Sequence, residues 1–119
     1  MSKKILIIEQ EQDFVEALSK QFEPSGYTLV HACDGQEALC KVKEEFFDLI
    51  ILEIIIPKVD GMHVLTQLKK EMKLKIPIVV LTHLGHEDDK KMAMDLGAHS
   101  YFVKAQTPLT QLLTHIETI

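Results

Sequence analysis

Four features of this chain carry groups able to do chemistry together: the polar run Glu9-Gln10-Glu11, the single acid Glu53 inside an apolar stretch, the hydroxyl of Thr82 and the ammonium of Lys104. Each stands at the end of a short apolar run. Carboxylates on one side with a hydroxyl and an ammonium on the other suit three tasks. They can hold a metal ion, hold an anion, or close on themselves as a salt bridge between Lys104 and Glu53. An acid after a strand is ordinarily just solvated; four such groups converging on one edge make a site. His83 and His86 follow Thr82. With Glu9 they form a conceivable transition-metal set, since imidazole and carboxylate suit zinc, but no complete ligand set is visible. Solvated loop histidines are the simpler reading.

The elements that must position these groups are legible in the hydrophobic pattern. Lys4–Ile8, Leu49–Ile56 and Ile76–Thr82 are short, continuous and rich in β-branched residues, the pattern of parallel strands covered on both faces. Tyr27–Ala32 and Ser100–Val103 are weaker strands. Helical spacing fills the gaps: Phe14, Leu18 and Phe22; Ala38, Leu39, Val42 and Phe46; Gly61–Met72 with Leu65, Leu68 and Met72; Met92, Ala93 and Leu96; and Leu109, Leu112, Leu113 and Ile116. Asp34 with Glu37 predicts a capping box. Thr107-Pro108 predicts a cap residue followed by proline at the first helical position. Gly26 and Gly97 stand where left-handed stops would close helices one and four. The expectation is one α/β domain over residues 1–119: a doubly wound (βα)5 fold with a five-stranded parallel sheet of order 2-1-3-4-5. Such sheets bind ligands at the carboxyl ends of their strands.

Composition narrows the function classes. The 119 residues suit one domain, and 46% hydrophobic residues suffice for a core. Thirteen basic against 18 acidic residues, a net charge of −5, argue against nucleic acid as a direct ligand. No apolar run approaches the roughly 18 residues of a membrane span. Met1 to Lys4 lead straight into a strand, so no signal peptide is expected, and a soluble cytoplasmic protein is the default. Cys33 and Cys40 fit neither a disulfide framework nor a zinc site; they read as partly buried thiols in a reducing compartment. His31 and Cys33 read as ordinary strand-end residues. Met92 fits the buried stripe of helix four, whereas Met94 falls off it, exposed beside Lys90 and Lys91.

Lys4-Ile-Leu-Ile-Ile8, Gly26-Tyr27, Asp34-Gly35-Gln-Glu37-Ala38-Leu39, Asp48-Leu49-Ile50, Pro57 with Asp60-Gly61, Pro77-Ile-Val-Val-Leu-Thr82, and Leu96-Gly97-Ala98 with Tyr101 and Lys104 follow one another in an order and spacing that resembles the response-regulator receiver family, CheY-like in fold, over essentially the whole chain. That resemblance implies a signalling domain of the two-component type. In the family an acid pair after strand one and an aspartate after strand three bind magnesium, and the aspartate takes a phosphoryl group from a histidine kinase. A hydroxyl and a lysine hold the phosphoryl oxygens, and an aromatic on strand five turns inward when the hydroxyl moves. The matching positions are Glu9 and Gln10 for the acid pair, Glu53 for the acceptor, Thr82 for the hydroxyl, Lys104 for the lysine and Tyr101 for the aromatic. Ile55 would lend a metal only its carbonyl.

The departures fall on the chemistry. Glu53 is one methylene longer than aspartate, and in-line phosphoryl transfer is sensitive to such displacement. Gln10 removes a charge from the expected magnesium site, so weak magnesium binding or none is expected, and no other cofactor. Ala105 stands where the family usually has proline; a cis bond before alanine costs about 3 kcal/mol, so this peptide is expected trans. Thr82, Tyr101 and Lys104 are kept. The expected function is therefore a non-enzymatic, phosphorylation-independent receiver acting by protein contact. Its partner would be a sensor kinase, an output domain or another signalling protein, met through the face of helix four, strand five and helix five. Helix five has no arginine and His99-Ser100 replace common acids, so a charge-paired dimer is not supported. A receiver still phosphorylated, at Glu53 or at a neighbouring carboxylate, is the alternative. A flavodoxin-like small-ligand protein is a further one, although Glu-Gln-Glu-Gln-Asp after strand one would repel a flavin phosphate. Whether Glu53 imitates the phosphorylated state or only fills its place stays open on sequence alone.

Overall fold

Continuous β-branched runs form the centre of the molecule, because only strands covered on both faces can bury every side chain. The computed structural model describes residues 3–119, so the part of the N-terminal expectation that concerns Met1 and Ser2 lies outside the described residues. The strands are β1 (Lys4–Ile8), β2 (Thr28–Ala32), β3 (Leu49–Leu52), β4 (Ile78–Thr82) and β5 (Ser100–Val103). All pairings are parallel and the order is β2-β1-β3-β4-β5, the doubly wound topology expected. Ile8 lies beside both Ala32 and Leu52, and Thr82 beside Val103, which brings the carboxyl ends of the strands to one edge.

Five helices cover the sheet: α1 (Gln12–Phe22), α2 (Gly35–Glu44), α3 (Gly61–Thr66), α4 (Glu87–Asp95) and α5 (Leu109–Glu117). Strand alternation divides the core in two. Leu6, Ile8, Ile50, Leu52 and Val80 pack with Val64, Leu65, Leu68 and Ala93 on one side. Ile5, Ile7, Ile51, Val79 and Leu81 pack with Leu18, Phe22, Leu112 and Ile116 on the other. Each fully buried Leu or Ile is worth about 1.5–3 kcal/mol of apolar transfer. No helix among the described residues is long and apolar enough to cross a membrane.

The left-handed stops are present: Gly26 has φ 94° after a short 3-10 turn, and Gly97 has φ 110°. Several expectations need correction. β3 ends at Leu52 rather than Ile56, since Glu53 begins a loop, and β4 starts at Ile78 rather than Ile76. α3 is α-helical only to Thr66 and continues as a π-helical turn over Gln67–Glu71. Phe46 is not on a buried face: α2 ends at Glu44, Glu45 is extended, and Phe46 is 96% exposed. Helical spacing places Met92 on the buried stripe of helix four, but it is 53% exposed; Ala93 alone of that helix is fully buried. Met94 is exposed as expected. Cys33 and Cys40 are exposed rather than partly buried.

The caps are also partly redistributed. Asp34 accepts the Glu37 N–H at 2.8 Å, but the Glu37 carboxylate accepts from Cys33 N–H rather than closing back on Asp34. Thr107 does not cap α5; its hydroxyl donates to the Val103 carbonyl, and Pro108 occupies the cap position.

Candidate functional site

The end of β1 delivers Glu9, the end of β3 delivers Glu53, and Lys104 follows β5. The ordered ends of three strands force these side chains into one space. Lys104 is 5% exposed and its Nζ lies 2.5 Å from Glu9 Oε1 and 3.0 Å from Glu53 Oε1. The first contact is a hydrogen bond. The second is a charge contact, because Glu53 Oε1 has no hydrogen bond of good angle. The Phe14 ring closes another side of the ammonium, its centroid 4.4 Å away. Burial pulls the Lys104 pKa down, but the contacts with Glu9 and Glu53 and their two charges outweigh it and hold the value above the ordinary one.

Both carboxylates have second anchors. Glu9 Oε2 accepts the Glu11 N–H at 2.9 Å, and the Glu9 carbonyl accepts from His31 Nε2 at 2.7 Å. Glu53 Oε2 accepts the N–H groups of Ile54 at 2.6 Å and Ile55 at 3.2 Å. The carboxylate therefore folds back over its own loop. That loop is clamped at Gly61, where an added Cβ would stand 2.4 Å from Ile54 Cα and 2.7 Å from the Glu53 carbonyl oxygen. Asp60 caps α3 beside it, accepting from Met62 and His63 N–H.

Thr82 and Tyr101 are arranged separately. Thr82 is fully buried and its Oγ1 accepts the Leu84 N–H at 3.3 Å. Tyr101 is half-buried and its hydroxyl donates to the Leu84 carbonyl at 2.7 Å. Among the described residues neither Thr82 nor Tyr101 is hydrogen-bonded to Glu53. Burial raises the Tyr101 pKa, helped by the charges of Asp89 and Glu53. The Lys104–Ala105 peptide is trans, as expected from the missing proline.

The structure thus gathers Glu9, Glu53 and Lys104, with Thr82 and Tyr101 beside them. Gln10 is exposed and its side chain makes no hydrogen bond among the described residues, and Ile55 is exposed. Glu11 was only one acid of a run in the sequence, yet its Oε1 lies 3.8 Å from Lys104 Nζ and 3.1 Å from His83 Nε2. The His83 hydrogen bond first, and then the Lys104 charge, holds the Glu11 carboxyl below its usual value. Glu11 is the N-cap of α1 without capping it, because its side chain is spent on these partners. The only advance signal for Glu11 and Phe14 was their spacing from Glu9. The suggested His83, His86 and Glu9 metal set does not assemble: Glu9 faces Lys104 and His83 faces Glu11. Among the described residues no group of three His, Cys, Asp or Glu side chains is placed to hold a metal.

This geometry agrees with comparisons to known proteins. The family model "Response regulator receiver domain" matches residues 5–117. The alkaline phosphatase synthesis transcriptional regulatory protein PhoP of Bacillus subtilis is 43% identical over 108 residues, covering 91% of this chain and 45% of that protein. The probable transcriptional regulator ycf27 of Cyanophora paradoxa is 39% identical over 106 residues, covering 89% of this chain and 44% of that protein. The chain therefore spans less than half the length of these curated relatives. The solved structure of the Vibrio cholerae chemotaxis protein CheY4 superposes with a TM-score of 0.89 at 25% identity, covering 100% of this chain and 99% of that one. With the sheet order, the strand-end pocket and the match over nearly its full length, the chain belongs to the response regulator receiver domain family.

Proposed function

We propose that this receiver does not use phosphorylation at Glu53 and works as a fixed docking module in two-component-type signalling. In this reading Glu53 stands in the acceptor position, Glu9 and Gln10 in the acid-pair positions, and Thr82, Tyr101 and Lys104 on the readout side. One observation carries it: Glu53 is 2% exposed, its Oε2 accepts from the Ile54 and Ile55 N–H groups, and its Oε1 lies in charge contact with the Lys104 ammonium without a hydrogen bond. A carboxylate that is buried and turned back on its own backbone in this way is not presented to an incoming phosphoryl group.

The donor set also fits magnesium poorly. Lys104 occupies the space between Glu9 and Glu53, Gln10 faces solvent, and a dication would have to displace a buried ammonium. Weak binding or none follows. A fixed module is favoured over a permanent imitation of the phosphorylated state for two reasons. Glutamate supplies one charge against nearly two on a phosphoryl group. Thr82 and Tyr101 are tied to Leu84 rather than drawn to Glu53.

Signalling would then pass by protein contact, without catalysis, in the cytoplasm. The face of α4, β5 and α5 suits it: Met92 and Met94 are exposed there, and a cavity of about 280 Å3 opens between Lys90, Tyr101 and Gln111. The relatives' descriptions as transcriptional regulators support an output module as the partner. Incubation with magnesium and acetyl phosphate, read by intact mass, is expected to give no phosphate adduct. A stoichiometric adduct removed by Glu53→Gln overturns the proposal. One observation favours a second reading, phosphorylation at a neighbouring carboxylate: Glu11 is 59% exposed and near Lys104. An adduct removed by Glu11→Gln instead would establish it.

A further inference from the structure

Phe46 stands almost entirely in water, and beside it opens a cavity of about 110 Å3 walled by Val42, Glu45, Phe47, Leu74 and Ile76. The patch joins the residues that lead into β3 and β4, so it lies at the amino edge of the parallel sheet, opposite the edge that carries Glu53. Glu45, the carboxylate in its wall, is already neutralised by an ion pair with Lys4. Around the patch run exposed lysines: Lys43 follows Val42, Lys73 and Lys75 flank Leu74, and Lys70 precedes them. Among the described residues none of the four makes an ion pair, although the chain as a whole carries a net charge of −5. Exposed acids in the same stretches, Glu44 and Glu71, are fewer. Lys73 holds a left-handed backbone, φ 55°, a conformation in which glycine or asparagine is at ease.

A lysine-rimmed apolar hollow selects among occupants. A bilayer is flat and would leave the cavity unfilled, and the acidic remainder of the protein would be repelled by anionic lipid. A second copy related by a twofold axis would set Lys43, Lys73 and Lys75 near their own counterparts. An acidic segment with apolar anchors satisfies both halves of the patch. We propose that this face docks an acidic segment of another protein, with an aromatic or aliphatic anchor filling the cavity beside Phe46 and carboxylates meeting Lys43, Lys73 and Lys75. The proposal is independent of what happens at Glu53.

The test uses the full chain, isotope-labelled for NMR, titrated with a synthetic helical peptide of glutamates bearing leucines at i, i+3, i+4 and i+7. A counterpart with lysines for the glutamates serves as control. Saturable shifts confined to Val42, Phe47, Leu74 and Ile76, weakened by salt and absent with the lysine peptide, are expected. Phe46→Ser, and separately the triple change Lys43→Glu, Lys73→Glu, Lys75→Glu, are each expected to weaken binding on the order of ten-fold. Equal binding of both peptides, or shifts centred elsewhere, overturns the proposal. So does a preference for phosphatidylserine vesicles over the acidic peptide, or concentration-dependent dimerisation through Phe46 in sedimentation. The two wild-type peptide arms decide the matter even if a variant folds poorly.

Discussion

The Glu53 carboxylate accepts the N–H of Ile54, its immediate neighbour, at 2.6 Å, so this buried side chain turns back on its own loop. Gln10→Asp with Glu53→Asp shortens the side chain and restores a charge to the pocket. Magnesium-dependent labelling by acetyl phosphate is expected to appear in the double variant, read by intact mass. A double variant that stays unlabelled would mean that the pocket geometry has drifted along with the residue types.

Removing the ammonium leaves two buried carboxylates facing each other. Lys104→Met is expected to destabilise the fold by about 3–5 kcal/mol, the range for breaking a buried ion pair from one side. Urea denaturation measures it. Adding Glu9→Gln and Glu53→Gln should recover most of the loss; no recovery would mean that packing, not charge, is the cause. The raised Lys104 pKa fixes the sign with pH. Its stabilisation is complete below the unfolded value, ~10.4, and is lost as pH rises through the higher folded value. That alkaline loss should be absent from Lys104→Met.

His115 titrates in the opposite sense. Burial first, and then the charge of His99, lower its pKa; its Nε2 is 3.0 Å from Ser100 Oγ, with the Phe102 ring at 4.9 Å. Its contribution is complete above the unfolded value, ~6.5, and is lost as pH falls from there through the lower folded value. Thermal melts of the wild type are expected to drop across that acid window, with a shallower drop in His115→Gln. Identical slopes would remove His115 from the account.

Gly61→Ala forces a methyl into the Ile54 backbone. A loss of about 1–3 kcal/mol is expected for such overpacking. In NMR spectra the Ile54 and Ile55 amides should shift, because the same loop donates to Glu53. Unchanged amides with lowered stability would place the strain elsewhere.

The sheet order and the meeting of Glu9, Glu53 and Lys104 were legible because apolar runs locate strands and parallel pairing puts their ends at one edge. What escaped depends on finer matters. Phe46 keeps helical spacing, but spacing does not say where a helix stops, and α2 stops at Glu44; Met92 lies inside α4, where only Ala93 is buried. The π-helical turn after Thr66 leaves the apolar pattern of Leu65, Leu68 and Met72 nearly unchanged. The backward turn of Glu53, the Glu11–His83 contact and Phe14 over Lys104 are rotamer choices made after the backbone is set. The resemblance pairs Gln10 with Glu9, yet neighbouring side chains after a strand point different ways, and of the two only Glu9 is buried.

The Lys104–Glu9 bond joins residues 95 positions apart. A span that long pays its loop-closure entropy before the contact can reward it, so this bond is expected to form after the folding barrier, when the last strand docks. In denaturant-jump kinetics, Lys104→Met should then accelerate unfolding and leave the folding arm unchanged; slowed folding would put the contact in the nucleus instead. Lys104 is then a clasp between the ends of β1 and β5, and what it sets is the lifetime of the folded molecule.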